Sequence, residues 1–208
     1  MQEIIESKIV SGPIPADKFV MTIKVQGYER KKMPRSNPDK PLDAVIADVL
    51  ALGSLKEDRS IAVMASAILE YWLGRAILGR LIEMTNQEKD CLLDNNGHGA
   101  LANMSSKIWM GFALGLYKAE ARKDLLNLKD IRNKFAHADE HIEFSNPEIV
   151  KLCNKLKAPK YLAESAKKTE QTIPKERFLD TVHHLVAGFH LATKFHNKRP
   201  PPPDTIQY

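Results

Sequence analysis

The chain has 208 residues, 43% of them hydrophobic and 27% charged, with a net charge of +5 at neutral pH. That length holds one ordinary domain with a sizeable core, and the composition is that of a soluble globular protein rather than a disordered or fibrous one. No segment approaches the ~20 uninterrupted apolar residues of a membrane helix; the nearest, IAVMASAIL at 61–69, is closed by Glu70, with Arg75 and Arg80 beyond.

The first residues, MQEIIESK, carry no basic region followed by an apolar run, so no secretory signal is visible. Two cysteines, Cys91 and Cys153, in such a chain read as reduced thiols in the cytoplasm. The charge is unevenly placed: residues 24–40 carry six Lys/Arg against two acids, and residues 151–208 carry eleven against five. The centre, 41–150, carries twelve against sixteen. Basic flanks of this kind either meet nucleic acid or are solvated surface.

Residues 1–40 form an extension punctuated by Pro13, Pro15, Pro34 and Pro38. Its ordered-looking piece, KFVMTIKVQGY at 18–28, is β-branched and partly alternating and predicts a short strand. YERKKMPRSNPDKP at 28–41 reads as a basic linker. From 42 onward the pattern is helical. LDAVIADVLAL places apolar residues at 42, 45, 46, 49 and 52, one face of a helix. SLKE at 54–57 reads as a capping box opening a long helix over 55–84, apolar all round near 61–69 and so central in a bundle.

TNQEKDCLLDNNGHGAL at 85–101 is polar and rich in turn residues, so a long connection is expected. Asn103 predicts a cap for a helix reaching about Leu116, and a further helix starts near Lys118. Pro147 and Pro174 open two more, the last running to about residue 196. PPPP at 200–203 ends the fold in an extended tail over 199–208. The architecture expected is all-α: an antiparallel helical bundle over 41–198 behind an irregular extension.

RNKFAH, at 132–137, is the stretch closest to chemistry. On a helical wheel Leu125, Leu128, Ile131 and Phe135 form the buried stripe. Asn133 and His137, four apart, share a face roughly opposite, and Arg132 borders the stripe. An amide and an imidazole on the outer face are either solvated or covered by another subunit. The plain alternative makes His137 a cation near a helix C-terminus and Arg132 a surface partner of Asp130 or Asp139.

Other constellations are weaker. His137 and His141 stand at a spacing that binds zinc, with His183, His184 or His190 as a distant third ligand. No HExxH or paired CxxC accompanies them, so neither a metal nor a cofactor is expected. HHLVAGFH at 183–190 reads as packed, hydrogen-bonded rings, NNGHG at 95–99 as a turn, and Trp72 and Trp109 as core.

Asp58 to Ala138 resembles the mannitol operon repressor family of bacteria. The matching pieces are DRSIAVMASAILEYWLGRAI (58–77), LANMSSKIWMGFALGL (101–116) and DLLNLKDIRNKFAHA (124–138), in order and separation as well as letters. The family commonly has glycine after the Asp-Arg pair where this chain has Ser60, which is still small enough for close helix packing.

The resemblance implies an all-helical, HEPN-like bundle that dimerises and acts through protein contacts, in transcriptional regulation, without catalysis. It also carries an alternative. Many HEPN proteins have arginine, four to six residues, then histidine, and in the ribonuclease members two copies meet across a dimer and cut RNA without metal. Arg132, Asn133 and His137 fit that pattern. Histidine would move the proton, arginine would hold the phosphate, and asparagine would orient either. Glu70 matches an acidic position of the repressor family. It is expected either to support His137 or Arg132, or to be a buried acid paired with Arg75 or Arg132. The resemblance implies a second copy and a regulatory protein as partners; the basic flanks add nucleic acid, and the hydropathy gives no expectation of a membrane.

Overall fold

The computed structural model describes residues 23–25, 28–30, 40–93, 99–157 and 173–194. Two compact units divide the chain, Met1–Asp39 and Lys40–Tyr208. In the first, β1 (Ile23–Val25) pairs antiparallel with β2 (Tyr28–Arg30), Ile23 facing Arg30 and Val25 facing Tyr28. β1 falls in the expected strand; β2 lies in what the sequence suggested was linker. The rest of the linker, most of the basic stretch 151–175, NNGHG up to His98 and the proline tail lie outside the described residues.

The second unit is an all-α helical bundle. Its elements are α1 (Leu42–Ala51) with a 3-10 turn (Leu52–Ser54), α2 (Asp58–Leu78), α3 (Asn86–Leu93), α4 (Met104–Ala113), α5 (Ala119–His137), α6 (Pro147–Cys153) and α7 (Pro174–Lys194). α2 is the central helix, packed against α4, α5 and α7, with Ile61, Ala65, Leu69, Leu73 and Ile77 fully enclosed. By length and composition alone α2 could cross a membrane, but ten of its residues are buried among the other helices. Burial of such side chains at roughly 1.5–3 kcal/mol each is the main term holding the bundle.

Helix directions follow from contacts at the ends. Arg59, in the first turn of α2, reaches the carbonyls just past α5, so α2 and α5 are antiparallel. Lys175 meets Asp58 at 3.2 Å where α7 and α2 begin, and 15 residues on His190 packs edge-on against Trp72 at 4.8 Å. α7 therefore runs beside α2 in the same direction. An aromatic chain of Phe135, Phe144 and Phe178, with centroids 4.8 and 5.2 Å apart, ties α5, the loop after it and α7 together.

Three local expectations are corrected. SLKE is not a capping box: the Ser54 hydroxyl turns back to the Ala51 carbonyl at 2.7 Å, and α2 begins only at Asp58. The box is TNQE instead. Glu88 accepts from the Thr85 amide at 2.7 Å while the Thr85 hydroxyl accepts from the Glu88 amide at 3.3 Å. That reciprocal pair opens α3 inside the segment expected to be connection. Trp109 is 54% exposed rather than core, whereas Trp72 is 1% exposed.

Candidate functional site

RNKFAH closes α5. Leu125, Leu128, Ile131 and Phe135 are fully buried, which fixes the rotation of the helix and turns Asn133 and His137 outward. Arg132 and Asn133 are half-buried, and the Arg132 guanidinium donates to Asn133 Oδ1 at 3.0 Å. Asp130, one partner considered for Arg132, is met by Lys129 at 3.3 Å instead. His137 is exposed in the last turn, where the helix dipole favours a cation. It has no hydrogen-bond partner among the described residues.

The end of α5 is held from α2. Arg59 donates to the carbonyl of Ala138, the C-cap acceptor that the terminating helix leaves free, and at 3.2 Å to that of Glu140 in the loop beyond. Beside it Asp58 accepts the Phe144 amide at 2.9 Å and the Lys175 ammonium at 3.2 Å. One Asp-Arg pair thus pins both sides of the 138–144 loop.

Glu70 stands elsewhere. Its carboxylate receives Lys107 Nζ at 2.6 Å, and Lys107 is 3% exposed on α4. Glu70 is eleven residues past Arg59, or ~16 Å further along α2, so its partner is this buried lysine and not the histidine at the far end of α5. The structure joins Arg132 to Asn133, sets His137 one turn on, and leaves Glu70 to a separate structural pair.

A second cluster went unnoticed in the sequence. On α4 the buried positions are Met104, Lys107, Ile108 and Gly111, and Trp109 and Phe112 lie off that stripe. The helix then ends in a Schellman turn: Leu116 N–H donates to Gly111 O and Gly115 N–H to Phe112 O, both at 3.0 Å, with Gly115 at φ 67°. Tyr117 staples the turn by donating to the Ile108 carbonyl at 2.5 Å, and burial pushes its phenol pKa up. This rigid reversal brings Arg122 of α5 over both rings, 4.0 Å from the Phe112 centroid and 4.8 Å from that of Trp109. The signal available in sequence was Trp and Phe three apart before a helix-ending glycine, with an arginine one turn into the next helix.

His190 is buried as expected, its Nε2 2.9 Å from the Lys40 carbonyl and its Nδ1 without a hydrogen-bond partner among the described residues, whereas His183 is half-buried and His184 exposed. His141 faces Glu143 at 3.2 Å. Among the described residues no group of three or more His, Cys, Asp or Glu could hold a metal. Cys153 is buried and free, its thiol pushed up to about 12 by burial; Cys91 is exposed and free.

An all-α bundle with a clamped α5 end and an aromatic–cation corner defines a class of fold, not an activity. No family model matches the chain, and no curated protein matches it. Among solved structures it is similar to a chain of the X-ray structure of the MtlR-HPr complex from Escherichia coli, with a TM-score of 0.54 at 18% identity, over 71% of this chain and 99% of that one. The fold is MtlR-like.

Proposed function

We propose that this chain is a regulatory module of the mannitol-repressor type, cytoplasmic and dimeric, acting through protein contacts and reaching transcription by way of them, with no catalysis of its own. The observation that carries the reading is the extent of the likeness: nearly the whole of a chain crystallised in a complex with HPr is matched by this bundle. The site supports it. A general acid–base histidine is normally oriented by a second group, and here Glu70 is committed to Lys107 while His137 is exposed. Asn133 and His137 then serve as contacts of a dimer seam. The test is sedimentation velocity of the chain alone and with HPr. A concentration-dependent dimer that His137→Ala loosens, and a faster-sedimenting complex with HPr, are expected. A monomer indifferent to HPr would contradict the reading.

The second reading is a metal-independent ribonuclease. It is favoured by one observation, the Arg132–Asn133 hydrogen bond with His137 one turn beyond on the exposed side of α5. RNA incubated in EDTA with wild type and with His137→Ala decides it: cleavage by wild type alone would establish the nuclease. Nucleic-acid binding by the basic flanks would appear as affinity falling steeply with salt.

A further inference from the structure

We infer that the Trp109–Phe112–Arg122 corner, between α4 and α5, is a docking face for an acidic protein segment that presents carboxylates around an apolar side chain. This rests on the reading of the chain as a protein-contact module and names the surface and the partner's chemistry. Three features of the corner point to such a partner.

The first is Arg122 itself. Its guanidinium lies on two aromatic rings, and it has no ion-pair partner among the described residues. A guanidinium stacked on rings is fixed in orientation while its edge donors stay free, the arrangement that takes a carboxylate bidentately. The second is exposure. Trp109 is 54% exposed beside that cation, and tryptophan and arginine are the residue types that dominate binding energy at protein interfaces. The corner stands on two helices locked by the Gly115 turn and the Tyr117 staple, so little ordering cost attends binding.

The third is charge. On the α5 wheel Lys118 falls about 40° from Arg122, Lys129 falls about 20° away but is paired with Asp130 at 3.3 Å, and Glu120 lies about 160° away. The face is cationic and its complement is acidic. A nucleic acid fits less well. Arg122 already covers the ring face on which a base would stack.

The experiment uses the full chain and acrylamide quenching of tryptophan fluorescence. Trp109 is open to the quencher and Trp72, at 1% exposure, is shielded, so the signal reports the corner. The probes are a short peptide of alternating glutamate and leucine and a single-stranded RNA of matched net charge. The peptide is expected to shield Trp109. Arg122→Gln, which keeps the stem and loses the charge, should weaken that binding about tenfold, as expected of an interface hot spot. Lys56→Gln, an exposed lysine in the turn before α2, should not. Equal losses in the two variants, tighter binding of the RNA, or no shielding by the peptide would each overturn the proposal. Sedimentation with the proposed partner protein separates the two levels. A complex that survives Arg122→Gln undiminished sinks this face but leaves the contact reading standing, whereas no complex with wild type sinks both.

Discussion

Arg59, in the first turn of α2, donates to the carbonyl oxygen of Ala138, the residue just past α5 and 79 positions further along the chain. The same guanidinium reaches Glu140, and the neighbouring Asp58 holds the Phe144 amide. The end of the helix that carries RNKFAH is therefore set by residues from the beginning of the central helix. Arg59→Ala removes charge-assisted hydrogen bonds to two carbonyls and should cost about 2 kcal/mol. Urea unfolding would read the cost, and amides over 138–144 should exchange faster than those of the α5 interior. An unchanged midpoint would show that the loop holds itself.

The Glu70–Lys107 pair makes a contrasting prediction. Glu70→Leu leaves a buried ammonium without its carboxylate. Because Glu70 retains a quarter of its side-chain exposure, the expected loss is about 2 kcal/mol, below the range for fully buried pairs. Adding Lys107→Met should restore most of it, since an apolar pair of similar volume avoids desolvating either charge. A double variant no better than Glu70→Leu would show the lysine acting through something other than this pair.

Gly115 sits at φ 67° with open space where a Cβ would be, so Gly115→Ala meets no clash and pays only for its backbone, about 1 kcal/mol. Gly111 is the opposite case. A Cβ there would come 2.8 Å from the Tyr117 hydroxyl and 3.2 Å from Leu73. Gly111→Ala should therefore break the staple to Ile108 and cost more than Gly115→Ala, although alanine is the better helix former. Thermal melts of the two variants rank them.

Asp124 gives a pH dependence. It is 6% exposed and accepts the Lys157 amide at 3.2 Å; burial raises its pKa, partly offset by that hydrogen bond. A carboxyl whose folded pKa is raised binds its proton more tightly when folded. Its favourable contribution is present below the unfolded value of 3.8 and is lost as pH rises through the raised one. Asp124→Asn keeps an acceptor for Lys157 and carries no charge. Its stability relative to wild type should improve between pH 3.5 and pH 7, measured by urea midpoints. A gap independent of pH would show that desolvation of Asp124 is not a net cost.

Much of the bundle was legible because its helices bury stripes. The spacing of Leu125, Leu128, Ile131 and Phe135 placed α5 and its outer face. Asn103 and Asn146 cap α4 and α6 through the Ser106 and Glu148 amides, as residues of that type before a helix should. α3 was missed because none of its residues is buried, so no periodic signal marks it, and its Thr85–Glu88 box sat in a stretch dominated by polar residues. Trp109 was misplaced because apolar neighbours on α4 outweighed its position off the buried stripe. The Arg59 clamp and the Glu70–Lys107 pair join distant segments, and no local pattern announces a contact across 79 or 37 positions.

The most direct measurement of the central claim is amide hydrogen exchange of the full chain with and without the proposed partner protein. The account predicts protection concentrated over 104–123, at the α4–α5 corner, with the buried amides of α2 unchanged. Exchange identical at every amide under saturating partner would contradict it.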